Sequence, residues 1–185
     1  MDFDFSAEQL QLADAVRRLV EKDYTFETRR KMVAATDGEG LWPKLVELGL
    51  TALPMPEEFG GFDGTAVDML PVMQELGRGL VAEPYFATVF AAEFVKRAGG
   101  GALLEGVADG SVKLAAALGE RRGRYDLGMV ETRATKRPNG YAISGEKTAV
   151  LSGGQAHRLI VSARTGDEVD GVALFVVDEI GRAHV

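Results

Sequence analysis

The sequence contains no cysteine, only two histidines and no long hydrophobic run. Without cysteine the chain has no disulfide framework and no thiolate nucleophile, which fits a cytoplasmic protein. A bilayer-spanning helix needs about 20 consecutive apolar residues, and no segment approaches that length. The acidic N-terminus, residues 1–4, also lacks the basic and apolar regions of a secretory signal. We therefore expect a cytoplasmic protein without a membrane partner.

Basic residues are fewer than acidic ones: the sequence has 21 lysines and arginines and 28 aspartates and glutamates, which gives a net charge of -7. An acidic chain disfavours nucleic acid as the main partner but leaves room for a local basic pocket that binds a phosphate. With 46% hydrophobic and 26% charged residues, the composition is that of a globular protein. A length of 185 residues allows one domain, or one domain and part of another.

The common nucleotide-binding and nucleophile motifs are missing from the sequence. No metal site is predicted, since His157 is the one credible histidine and carboxylates alone would have to bind the ion. A serine–histidine device would need His157 beside Ser152 or Ser162, neither of which is marked as a nucleophile. A hydrogen-bonded strand residue is the commoner role for such a histidine. These patterns alone predict an α+β chain without assigning an activity.

The last seven residues, 179–185, resemble the translation of a sequencing adapter. We interpret them as a non-native tail after a truncated gene, in which His184 has no functional role. The alternative is a genuine polar C-terminus.

Hydrophobic periodicity of 3.6 residues dominates the first ~110 residues and gives way to short strand patterns after Val112. Ser6 and Gln9 form a capping-box pattern, and Pro71 should kink its helix or delay its start. Helices followed by strands predict an α+β fold. The expected helices are 6–22, 26–35, 42–48, one starting after Thr65, 86–98 and 103–107; the expected strands are 112–118, 129–136, 140–144, 147–151, 157–163 and 172–178.

The order of five segments resembles the acyl-CoA dehydrogenase family. They are the capped helix at 6–22, LWPKLVELGL at 41–50, PEEFGGFDG at 56–64, MQELGR at 73–78 and GYAISGEKTAVLSGG at 140–154. The resemblance covers residues 5–178. It implies an N-terminal all-α helical domain, 1–111, followed by an incomplete antiparallel β-barrel domain, 112–178, without the family's C-terminal four-helix domain.

The resemblance implies FAD-dependent α,β-dehydrogenation of an acyl-CoA thioester, with electrons passing to an electron-transferring flavoprotein. A carboxylate base removes the α-proton and the flavin accepts a hydride from the β-carbon. Residues 120–127, ERRGRYDL, are most similar to small subunits of pimeloyl-CoA dehydrogenases. This similarity implies a dicarboxylyl-CoA substrate such as pimeloyl-CoA, and a homo- or hetero-oligomer with a second dehydrogenase subunit.

Two segments of this chain match those that lie against the flavin in the family. Gly119 replaces a threonine whose hydroxyl contacts the ring, and Ala149 and Leu151 replace a tryptophan and a threonine or serine. Backbone contacts need no particular side chain, and the strand at 147–151 should still form because its residues suit a buried sheet. The predicted cofactor-binding residues are Ala117, Leu118, Gly119, Glu120, Tyr125, Ala149, Val150 and Leu151.

The resemblance also suggests substrate contacts, each with a structural alternative. Arg122 and Arg124 would pair with phosphates, or belong to a solvated loop, and Tyr125 would lie on the thioester side. Phe59 and Phe62 would line the acyl cavity, or pack under a loop. Glu120 would shape the pocket by hydrogen bonding, or be a solvated charge at a strand end. No catalytic base is assigned, because the family glutamate lies in a segment that this chain does not contain.

Three functions stay open. The chain is the catalytic FAD-dependent subunit, or a non-catalytic partner that stabilises a heteromeric dehydrogenase and shapes its substrate channel, or a stand-alone α+β binding module. An incomplete barrel would expose strand edges, so we expect the 185-residue chain alone to be inactive, to hold FAD poorly and to associate.

Overall fold

The computed structural model describes residues 4–34, 40–167 and 171–178, so the expected tail at 179–185 lies outside the described residues. Helices occupy the N-terminal part of the described chain and strands the C-terminal part. None of these helices combines the length and apolarity needed to cross a membrane. The helices are α1 (Ala7–Asp23), α2 (Phe26–Ala34), α3 (Trp42–Glu47), α4 (Ala66–Arg78), α5 (Tyr85–Arg97) and α6 (Gly101–Ala108), with short 3₁₀ turns at Glu57–Phe59 and Gly153–Gln155.

Capping boxes start helices α1 and α4. The Ser6 hydroxyl accepts a hydrogen bond from Gln9 N (3.2 Å) and Gln9 Oε1 accepts one from Ser6 N (2.9 Å), as the sequence predicted. At α4, Asp68 accepts from Thr65 N (2.8 Å). Gln9 Nε2 also donates to Asp68 (2.8 Å), which connects the starts of α1 and α4. These bonds from Gln9 and Thr65 lower the pKa of Asp68 to about 2.

Pro71 lies inside α4 and is buried, so the predicted delay of the helix start is wrong. The helix begins at Ala66, five residues earlier. A proline there removes only the bond that its own N–H would make to the carbonyl of Val67. The capping box and the buried face of α4 outweigh that loss.

Two apolar clusters fill the molecule. The first lies within the helical layer around Leu45, Leu50 and Val72. The second joins α5 and α6 to the sheet, where Ala91, Leu104 and Leu114 pack together with Ile160. A buried hydrogen bond also joins α5 to the sheet, since the Thr88 hydroxyl accepts from Leu114 N at 3.3 Å. Helices α5 and α6 therefore share an apolar cluster with the sheet.

The sheet is open and mixed, rather than purely antiparallel. Its strands are β1 (Leu114–Ala117), β2 (Arg133–Arg137), β3 (Gly140–Ser144), β4 (Arg158–Arg164) and β5 (Val172–Asp178). The central strand, β4, pairs antiparallel with β5 along its length, parallel with β1, and parallel with β2 at its end. The predicted α+β fold is confirmed, and so is the incomplete sheet.

The strands expected at 129–136 and 140–144 form the hairpin of β2 and β3, in which Arg137 pairs with Gly140 across a two-residue connection. The strand predicted at 147–151 does not form. Ala149 and Ser152 have positive φ angles of 53° and 54°, which no β-ladder accommodates. Leu151 is also 58% exposed, so the apolar run is not a buried strand.

We expect Gly61→Ala to destabilise the protein by roughly 2 kcal/mol or more, because its Cβ would lie 1.9 Å from the backbone oxygen of Met55. The matched control is Gly77→Ala in α4, whose Cβ would meet no atom within 4 Å. It should stabilise the protein by up to about 1 kcal/mol, since alanine is the better helix former. Chemical denaturation measures both changes, and equal effects would contradict this account of the 53–64 loop.

Candidate functional site

The two segments that the resemblance placed beside a flavin lie next to each other in the structure. Residues 118–120 continue from the end of β1, and Thr148 N donates a 2.9 Å hydrogen bond to Gly119 O. The segments therefore meet backbone to backbone, although only one of them begins in a strand. Their predicted role as cofactor-binding residues rests on this juxtaposition.

Lys147 lies at the junction and was not among the predicted site residues. Its side chain is 8% exposed, and its ammonium donates to Leu118 O at 3.3 Å, Glu120 Oε1 at 2.7 Å and Ser162 Oγ at 2.8 Å. An ammonium has three donors, and each has an acceptor here. In the sequence, the available signal was a single lysine shortly before the apolar residues 149–151. Its partners are distant along the chain, so the sequence did not indicate them.

Glu120 is buried, with 6% of its surface exposed, so the alternative of a solvated strand-end charge is wrong. Besides Lys147 it accepts hydrogen bonds from Glu131 N (2.6 Å) and Thr132 N (3.0 Å). Desolvation raises the pKa of this carboxyl, but the bonds from Lys147, Thr132 and Glu131 outweigh it and lower the pKa to about 2. A carboxylate held in this way ties chain segments together and is poorly suited to act as a base.

The outer edge of the junction offers free backbone donors. Among the hydrogen bonds between described residues, none is donated by the N–H of Gly119 or by those of residues 149–151. Gly119 is half-buried, whereas Ala149 and Leu151 are exposed. The ring carbonyls and nitrogens of an isoalloxazine accept such bonds. The residues present therefore fit the FAD that the resemblance implies.

The loop at 121–129 presents its side chains to solvent. Tyr125 is 100% exposed, and Arg122 makes a surface ion pair of 2.7 Å with Glu131. Arg124 is exposed and has a φ of 49°. The structure does not gather these residues into a pocket, so their roles towards cofactor and substrate stay predictions.

Phe59 and Phe62 belong to one loop but face different surroundings. Phe59 packs against the cluster shared by α5, α6 and the sheet, whereas Phe62 is 63% exposed and lies against Gly49. Neither lines the cavity of about 440 Å³ between the end of α4 and the start of α5. That cavity is lined by Leu76 of α4, by Leu80 just after the helix and by Phe86 of α5.

His157 has the structural role that was expected to be commoner. Its Nδ1 accepts a hydrogen bond from Lys113 N (3.0 Å), and the hydroxyl of Ser162 is engaged by Lys147. In the part of the chain that the structure describes, no group of histidine and carboxylate side chains could hold a metal ion.

We expect Glu120 to make stability depend on pH. Its pKa falls from 4.5 to about 2 on folding, so its contribution is fully present above the higher value and is lost as pH falls through the lower one. The wild-type protein should be more stable than Glu120→Gln at neutral pH, and this advantage should shrink as pH falls between those two values. Denaturation of both proteins across this range measures the difference, and a pH-independent gap would contradict it.

Comparisons with known proteins agree with this geometry. The family model "Acyl-CoA dehydrogenase, N-terminal domain" matches residues 6–105, and "Acyl-CoA dehydrogenase, middle domain" matches residues 115–183. The acyl-CoA dehydrogenase FadE27 of Mycobacterium tuberculosis is 31% identical over 96% of this chain and 47% of its own length. The chain spans about half the length of curated relatives such as this one.

Solved structures show the same fold. The ChsE4–ChsE5 complex from Mycobacterium tuberculosis is 28% identical, with a TM-score of 0.79 over 96% of this chain and 49% of that one. An FAD complex of PigA shares the fold at 21% identity, with a TM-score of 0.75 over 97% and 50% of the two chains. FAD is the cofactor that goes with this family and fold. Because the N-terminal domain model alone matches more than half of the residues, the chain belongs to the acyl-CoA dehydrogenase family.

Proposed function

We propose that this chain forms the flavin-facing part of an FAD-dependent enzyme that carries out α,β-dehydrogenation of an acyl-CoA thioester. The observation that carries the proposal is the junction of residues 117–120 with 147–151, held by the Thr148–Gly119 bond at 2.9 Å. When bound, FAD supplies the hydride acceptor that no side chain can provide.

The chain's own contribution is binding and orientation. The N–H groups of Gly119 and of residues 149–151 would donate hydrogen bonds to one edge of the ring, while Leu118 O and Glu120 are engaged by Lys147 on the inner side. No residue of this site is assigned as the base that removes the α-proton. Arg122 is paired with Glu131, so Arg124 is the better candidate for a phosphate or for the distal carboxylate of a dicarboxylyl-CoA such as pimeloyl-CoA.

A second function, that of a non-catalytic partner subunit, is favoured by particular residues. Gly119, Ala149 and Leu151 lack the hydroxyls and the indole that the family offers to the ring, so this site makes fewer contacts to a flavin. The similar ChsE4–ChsE5 structure is a complex of two different chains. In this second function the chain would stabilise a heteromeric dehydrogenase and shape its channel, and electron-transferring flavoprotein would be the redox partner of the assembly in the cytoplasm.

We expect excess FAD to slow backbone hydrogen exchange in residues 117–120 and 147–152, because these amides would lie against the ring. Exchange followed by mass spectrometry on the 185-residue chain measures this even for weak binding. NAD⁺, which shares the adenosine diphosphate half but lacks the isoalloxazine, is the matched control and should leave these residues unchanged. No slowing with FAD, or slowing confined to other segments, would contradict the proposal.

We also expect Leu151→Thr to bind FAD about 2- to 10-fold more tightly, since it restores one hydroxyl hydrogen bond at the ring. Leu151 is 58% exposed, so the change costs little packing. Leu151→Val, which has nearly the shape of the threonine variant but no hydroxyl, should show no gain. Titration of flavin fluorescence compares the three proteins, and equal affinities for the threonine and valine variants would contradict a ring contact at this position.

A further inference from the structure

We propose that Lys147 is a positioning residue, whose buried ammonium sets the distance between the two segments of the flavin-facing edge. The inference rests on the proposed function. Its starting point is that all three donors of the ammonium are used, by Leu118 O, Glu120 Oε1 and Ser162 Oγ, at 3.3, 2.7 and 2.8 Å.

The three acceptors lie on two parts of the sheet domain. Leu118 and Glu120 flank Gly119 in the segment after β1, and Ser162 lies on β4. Lys147 is itself the residue before Thr148, whose N–H bonds Gly119 O at 2.9 Å. The ammonium therefore fixes the 147–151 segment against two elements at once, where no β-ladder does so.

The ladder is missing for a conformational reason. Ala149 and Ser152 have left-handed φ angles, and a single backbone bond, from Thr148 N, joins 147–151 to the segment after β1. A single neutral backbone bond adds little net stability, which is too little to fix a loop of partly exposed residues. The bonds from the Lys147 ammonium to Glu120 Oε1 and Ser162 Oγ are shorter, at 2.7 and 2.8 Å, and a bond between an ammonium and a carboxylate is stronger than a neutral one. They are therefore the main restraint on where the N–H groups of residues 149–151 lie.

An arginine could not replace this lysine. Its planar guanidinium carries five donors in a fixed fork, whereas the site offers three acceptors arranged around a point charge. The side chain of Lys147 is 8% exposed and that of Glu120 is 4% exposed, so the extra donors would be buried without partners.

The test separates stability from positioning with three variants of the 185-residue chain. Lys147→Met removes the ammonium and leaves the buried carboxylate of Glu120 unpaired, so it should lower both the unfolding midpoint and, by about tenfold or more, FAD affinity. Adding Glu120→Gln removes that lone charge. The double variant should recover much of the thermal stability but not the FAD affinity, because the 147–151 segment is still unrestrained.

Hydrogen exchange gives a readout that does not depend on FAD. In Lys147→Met without ligand, residues 147–152 should exchange faster, while α4 and α5 should be unchanged. Ser162→Ala removes one acceptor without unpairing a charge. It should remain folded even where Lys147→Met does not, and should bind FAD roughly 2- to 10-fold more weakly. Lys136→Met, which removes an exposed lysine of β2, is the matched control and should change neither readout.

The possible contrary results distinguish a failure of this inference from a failure of the proposed function. If the double variant recovers FAD affinity together with stability, the pair is only a structural ion pair and the inference is overturned. Unchanged exchange of 147–152 in Lys147→Met and Ser162→Ala would overturn it as well. A wild-type chain in which FAD slows no exchange at this edge would instead overturn the proposed function, whatever the variants show.

Discussion

A buried charge pair organises the sheet domain of this protein. Moving an ammonium and a carboxylate out of water costs several kcal/mol for each ion, and their attraction repays this only when the remaining donors and acceptors are also satisfied. Lys147 and Glu120 meet that condition, with Leu118 O and Ser162 Oγ on one side and the N–H groups of Glu131 and Thr132 on the other. Satisfying them requires four chain segments to converge, which brings residues 117–120 and 147–151 together.

The helical layer positions one of these segments, the one that follows β1. Helix α5 packs its buried face on β1, and the Thr88 hydroxyl bonds the backbone of Leu114 at the start of that strand. Since β1 leads directly into residues 118–120, the position of the edge follows from the docking of α5.

Residues 147–152 are held to the rest of the sheet domain without the side chains at 149 and 151. Their contacts are the Thr148–Gly119 backbone bond and the bonds of Lys147. In the proposed function, Ala149 and Leu151 therefore decide what this surface offers to a ring and not where the segment lies. This independence is compatible with a subunit whose partner supplies part of the redox site.

The local elements were predictable because their causes are local. The Ser6–Gln9 capping box, the glycines that end α3 and α5, and the turn before Gly140 each depend on residues a few positions apart. The strand predicted at 147–151 failed for the opposite reason. Apolar residues favour a strand there, but Ala149 and Ser152 have left-handed φ angles, which residue type alone does not predict.

The order of helices and strands, the family resemblance and the two segments expected to face a flavin could be read from the sequence. The folded structure was needed to show that the sheet is mixed, that Phe59 packs on a core cluster while Phe62 is exposed, and that Glu120 is buried. It alone also brought Lys147 to partners 15 to 29 residues away in the chain. The physical reason is that burial and charge pairing depend on distance in space, which a periodic pattern along the chain does not contain.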